Sequence, residues 1–87
     1  MKVIFASKAQ EDLQYWEKTD HKIVKRINQL IDDIKMHPFL GVGKPEPLRF
    51  NRAGYWARRI NHKHRLVYMI KNDIIYIAQC RWHYIKD

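Results

Sequence analysis

Six polar residues stand where loops and strand ends can present them: Glu46 between two prolines, Arg49, Arg59, Arg65 after a turn, and the adjacent pair His83 and Tyr84. A carboxylate, a histidine and several arginines are the parts needed to cleave RNA through its own 2′-hydroxyl. A base removes that proton, an acid protonates the departing 5′-oxygen, and cations hold the extra negative charge of the phosphorane. Such a set needs no metal. Taken singly, each residue also has a plainer role: Glu46 as a solvated loop charge, Arg49 and Arg59 as exposed sheet cations, His83 and Tyr84 as a frayed terminus.

Other chemistries find fewer parts. His21, His37, His62, His64 and His83 show no HExxH spacing, and a single cysteine allows no CxxC pair, so no metal site is expected. His62 and His64 fall in or beside a predicted hairpin turn, where surface exposure is the expected state. The GVGK stretch lacks the length and the Ser or Thr of a phosphate-binding loop, and no nucleotide fingerprint is present, so no cofactor is expected either. Cys80 lies near the end of an apolar strand and reads as a small core residue.

The elements that must position the polar set follow from periodicity and punctuation. Residues 2–6 are β-branched and aromatic and predict a short strand, with Ser7 offered as the cap of a following helix. That helix runs to about Lys18, with Ala9, Leu13 and Trp16 on one face. Thr19 or Asp20 caps a second helix, where Ile23, Val24, Ile27, Leu30, Ile31 and Ile34 repeat the helical period until Pro38 ends it near His37. The PFLGVGKPEP segment is an ordered surface loop. Strands are expected at 48–50, 55–61, 65–71 and 74–82, joined by turns short enough to make neighbours antiparallel. The expected fold is α+β: an N-terminal strand and two helices packed on a mainly antiparallel twisted sheet, as one domain over 1–87. Alternation puts Arg65, Val67 and Met69 on one side and Leu66, Tyr68 and Ile70 on the other. The open face is thus partly apolar and suits a partner or a second copy of the chain.

The formal net charge of +8 on 87 residues draws polyanions, and its spread from Lys2 to Lys86 places it on a folded surface rather than in a basic tail. Cys80 alone gives no internal disulfide, and the MKVIFA start is too short for a signal peptide or a membrane span. No membrane association is expected, and the default location is cytoplasmic.

Three stretches, GKPEPL (43–48), GYWARRINHKHRLVY (54–68) and CRWHY (80–84), resemble the YoeB branch of the RelE/ParE toxin superfamily, and DHKIVKRINQLIDDI (20–34) is similar to that family's second helix. The resemblance implies a RelE-like, microbial-ribonuclease-like fold and ribosome-dependent cleavage of messenger RNA in the A site. Its implied partner is a YefM-like antitoxin. On this chain the general base would be Glu46 and the general acid His83, with Arg65 stabilising the phosphate and Tyr84 positioning or stacking on the substrate. Arg59 matches a substrate-contacting position, and Arg49 stands where relatives often carry Lys. Relatives commonly show an acidic residue before the HR, as in TEEHRL, where this chain has Asn61, His62 and Lys63 ahead of His64. Two rivals stay open. One is a ParE-like toxin that inhibits DNA gyrase by binding, a branch that generally lacks the combined Glu loop, Arg strand and His-Tyr ending. The other is a basic RNA-binding module without activity.

Overall fold

In the computed structural model, which describes residues 1–83, the chain runs β1 (Lys2–Phe5), α1 (Ser7–Thr19), α2 (His21–Met36), β2 (Glu46–Pro47), a 3-10 turn (Phe50–Arg52), β3 (Trp56–Arg59), β4 (Arg65–Lys71) and β5 (Ile74–Gln79). The five strands form one sheet in the order β1-β5-β4-β3-β2. Strands β2 to β5 are an antiparallel meander, whereas β1 lies parallel to β5 with Val3 opposite Ile75. Parallel pairing demands a long connection, and everything between the first and last strands supplies it. Asn72 and Asp73, both at positive φ, make the tight turn between β4 and β5.

Both helices pack on one face of the sheet. Ile27, Leu30, Ile31 and Ile34 of α2 and Ala9 and Trp16 of α1 meet Leu66, Tyr68, Ile75 and Ile77 in the main core. Asp20 caps α2, its carboxylate accepting the Lys22 N–H at 3.1 Å. The other cap differs from expectation: Ser7 is already helical, and Ala6 occupies the cap position without a side-chain bond. No helix among the described residues is long and apolar enough to cross a membrane.

The second face of the sheet is open and carries a smaller apolar floor of Leu48, Ala57 and Val67, with Tyr55 and Ala78 against it. Its alternation agrees with the expected faces of β4. Two strand boundaries do not. The strand expected at 48–50 lies earlier, at Glu46–Pro47, because Phe50 takes a φ of 54° and starts the 3-10 turn. The last strand stops at Gln79 instead of Trp82, because α1 captures the next residue: Asp12 accepts the Cys80 N–H at 3.0 Å, and the Trp16 indole donates to the Cys80 carbonyl at 2.8 Å.

The loop leading to Glu46 is fixed from inside the core by Arg58, which is fully buried. Its guanidinium pairs with Asp33 of α2 and donates to the carbonyls of His37, Leu40 and Val42, while Nε donates to the Tyr68 hydroxyl. Tyr68 in turn donates to the Pro38 carbonyl at 2.7 Å. The Arg58 bond, then the Val42 N–H, holds the Asp33 carboxyl below the ordinary carboxylate range. Gly43 completes the clamp. It sits at a φ of 87°, its carbonyl accepts the Arg59 N–H at 2.7 Å, and a Cβ there would lie 2.9 Å from Leu30 and 3.2 Å from Arg58.

Candidate active site

Register decides which of the polar residues share a surface. Glu46 stands opposite Ala57, Ala57 opposite Val67, and Val67 opposite Gln79, so the four form one row across the open face. At the usual strand spacing this row is about 14 Å wide between its end Cα atoms. Its middle members are buried, Ala57 at 1% and Val67 at 0% exposure, so the row is a filled apolar strip with Glu46 at one rim and Gln79 at the other. A bulge at Ala78 turns the end of β5 and delivers Gln79 to that rim.

One row along, Arg59 and Arg65 stand directly opposite each other. Like charges facing across a ladder are destabilising. Arg65 nonetheless stays nearly buried at 8% exposure. Its Nη1 donates to the carbonyls of Asn61, His62 and His64 at 2.8, 3.3 and 3.1 Å, which anchors the guanidinium to the β3–β4 turn. Arg59 is exposed. The arrangement is a fixed cation beside an exposed one, next to the Glu46–Gln79 row.

His83 reaches the opposite rim by a short turn after β5. The Gln79 side-chain amide donates to the carbonyls of Arg81, Trp82 and His83 at 3.1, 3.5 and 3.4 Å. Arg65 N–H donates to the Trp82 carbonyl at 3.1 Å. His83 is exposed and held by its backbone, so it is not a frayed end. The structure therefore brings Glu46, Arg59, Arg65 and the His83 backbone to one face. Arg49 is exposed past the end of β2 and lies outside the row. Tyr84 lies outside the described residues.

Two residues escaped sequence reasoning. His64, expected at the surface, is 7% exposed; its Nδ1 accepts the Trp82 N–H at 2.7 Å. Asn61 caused the misreading, since its side chain accepts from the N–H groups of Lys63 and His64 and folds the turn inward. Arg58 was the other, and strand alternation next to Arg59 was the available signal. Among the described residues no three His, Cys, Asp or Glu side chains gather as metal ligands.

Cys80 is fully buried, and burial, then the Asp12 carboxylate, pushes its thiol up to about 12. The native protein is expected to resist alkylation by iodoacetamide at pH 8 and to react fully once unfolded in guanidinium. Equal labelling rates in the two states would contradict a structural thiol.

Residues 5–84 match the family model of the YoeB-like toxin of bacterial type II toxin-antitoxin systems. The chain is 51% identical to Toxin YoeB of Escherichia coli (strain K12) over 84 residues, 97% of this chain and 100% of that protein. Among solved structures it is similar to the YoeB/ParE toxin from Agrobacterium tumefaciens, with a TM-score of 0.94 and 43% identity over 97% of this chain and 100% of that one. The YoeB dimer from Staphylococcus aureus superposes with a TM-score of 0.91, and the toxin of the heterotetrameric YoeB-YefM complex from the same organism with 0.90. Both are 45% identical and cover 97% of this chain and 98% of theirs.

Proposed function

This chain belongs to the YoeB-like toxins of bacterial type II toxin-antitoxin systems, and from that membership we propose that it is a ribosome-dependent endoribonuclease that cuts messenger RNA in the A site. The observation that carries the reading is the open-face register, which sets Glu46 at one rim of the row, the His83 turn at the other and the Arg59–Arg65 pair beside it. The Glu46 carboxylate takes the proton of the substrate 2′-hydroxyl, and the oxygen so released attacks the adjacent phosphorus. The bond from phosphorus to the 5′-oxygen breaks, and the His83 imidazolium protonates that oxygen. Products are a 2′,3′-cyclic phosphate and a 5′-hydroxyl.

Arg65 meets the phosphorane's extra charge. Because three carbonyls already hold its Nη1, little reorganisation is needed at the moment of reaction. An incoming phosphate also relieves the repulsion between Arg59 and Arg65. Arg49 extends the basic path along the RNA backbone, and Tyr84, by its resemblance role, stacks on the substrate. The partner proposed is a YefM-like antitoxin, with a homodimer as the free state; YoeB-YefM complexes and a YoeB dimer are known for the Staphylococcus aureus relatives. Because the proposed substrate is ribosome-bound message, the proposed site of action is the cytoplasm.

Primer extension on a translated message, with and without purified protein, tests the activity. Cuts at codon-spaced positions are expected only when ribosomes are translating. An uncut message with gyrase inhibited instead would overturn the reading in favour of a binding toxin.

A further inference from the structure

Among the described residues His64 is the one buried histidine, and its surroundings tie it to the proposed general acid. Accepting the Trp82 N–H through Nδ1 at 2.7 Å requires a neutral ring with its proton on Nε2. The ring is seated edge-on against Trp16 of α1 at 4.7 Å and tilted against Trp82 at 5.4 Å. Trp82 has a φ of 68°, in the left-handed region that a bulky residue does not adopt unaided. Three bonds keep it there: His64 receives its N–H, and its carbonyl receives the Arg65 N–H and, at 3.5 Å, the Gln79 side-chain amide. The next residue is His83.

We propose that neutral His64 is a positioning residue for His83, and that its protonation as pH falls releases the Trp82 turn and turns the site off. The inference rests on the acid role proposed for His83. A protonated ring has no lone pair on Nδ1, so the Trp82 N–H loses its acceptor while Arg65 still holds the carbonyl. The freed amide lets Trp82 leave its left-handed conformation, and His83 swings away from the rim beside Gln79.

The groups facing His64 keep the ring neutral near pH 7 and move the switch further into acid. Lys63 and Arg65 flank it on its own segment, Arg81 and His83 approach from the turn after β5, and α1 contributes only the uncharged Trp16. Burial first, and then these cations, hold the His64 pKa below its ordinary value of 6.5. The ring is therefore neutral at pH 7. Stability contributed by the neutral form is complete above the unfolded value near 6.5 and is lost as pH falls through the lower folded value.

Two replacements separate positioning from mere packing. His64→Asn puts an amide oxygen near the position of Nδ1 and does not titrate; His64→Phe keeps a ring against Trp16 but has no acceptor. At pH 7, His64→Phe is expected to lower kcat roughly 100-fold, the scale of losing the general acid, with KM little changed. His64→Asn is expected to recover all but about tenfold of that loss. A spectroscopic arm uses the His83→Gln protein, so that no neighbouring histidine in the turn titrates. There the Trp82 amide resonance should move with the same midpoint as the His64 ring signals, and adding His64→Asn should abolish the movement. Wild-type kcat in His64→Phe with the Trp82 amide still protected from exchange would overturn the proposal, as would a Trp82 amide indifferent to the His64 titration. If the wild-type chain cuts no RNA, the proposed function fails on its own, and the amide titration still decides whether His64 holds the turn.

Discussion

Glu46→Gln and His83→Gln are each expected to lower the cleavage rate roughly 100-fold or more, the usual scale for removing a general base or general acid. In the proposed mechanism Glu46 serves the attacking oxygen and His83 the departing one, so the losses are not interchangeable. Arg65→Ala should slow the chemical step as well, through lost stabilisation of the phosphorane. Some RNA binding should survive all three changes, because the remaining cations of a +8 chain still attract the phosphate backbone. Product ends identify the nucleophile. The upstream fragment should carry a 2′,3′-cyclic phosphate or a 3′-phosphate, the downstream fragment a 5′-hydroxyl. A 2′-deoxy residue at the scissile nucleotide should block cutting. Cleavage should persist in EDTA when tested on a prebound ribosomal complex. Downstream fragments with a 5′-phosphate, or full activity on the 2′-deoxy substrate, would mean that water attacks, and the mechanism would have to be abandoned.

The second large effect concerns the fold that carries Glu46. Arg58→Met should keep the apolar stem of the side chain while leaving Asp33 and the carbonyls of His37, Leu40 and Val42 without their donor. A loss of roughly 3 kcal/mol is expected from breaking a buried, multiply bonded charge on one side only. For a domain of this size that corresponds to a fall of about 12 °C or more in Tm. Arg59→Met, one residue along, should change stability by no more than about 0.5 kcal/mol, since its side chain is exposed. Urea denaturation of the two variants gives the comparison directly, and similar midpoints would sink the assignment of Arg58 as the clamp. Acid adds a check of sign. The Asp33 carboxyl, held below its ordinary 3.8 mainly by Arg58, contributes stability above about that pH and loses it as pH falls through the lower folded value. The gap between wild type and Arg58→Met should therefore narrow in strong acid.

Local pattern was enough to determine much of this protein. The isoleucines and leucines from Ile23 to Ile34 recur every three to four residues, and a helix is the one element that gathers such a spacing onto one buried stripe. Alternation in 65–71 put Leu66 and Tyr68 on one side and Arg65 and Val67 on the other, because a strand turns successive side chains to opposite sides; the packed helices decided that the first side is the core. The candidate site residues were readable as types, and their order in the family's motifs pointed to the toxin family to which the chain belongs.

Tertiary structure decided what no local pattern encodes. Sequence alternation could not say that Glu46, rather than Leu48, begins the edge strand, since a bulky aromatic residue carries no local signal for the left-handed φ of 54° that Phe50 takes. The apolar run through Cys80 continued as a strand on paper, yet Asp12 and Trp16, 68 and 64 residues away in sequence, take both of the Cys80 backbone groups and end it. His64 sits between hydrophilic neighbours that signal exposure, and only the meeting of α1 with the turn after β5 supplies Trp16 and Trp82 to bury it. Arg58 and Arg59 are the same residue type side by side. One anchors the core and the other faces solvent on the opposite side, because Asp33, contributed by a helix 25 residues earlier, waits on one side of the sheet alone. Partners so distant along the chain meet only when the fold closes, and the free energy of a buried charge depends on that partner more than on the residue itself.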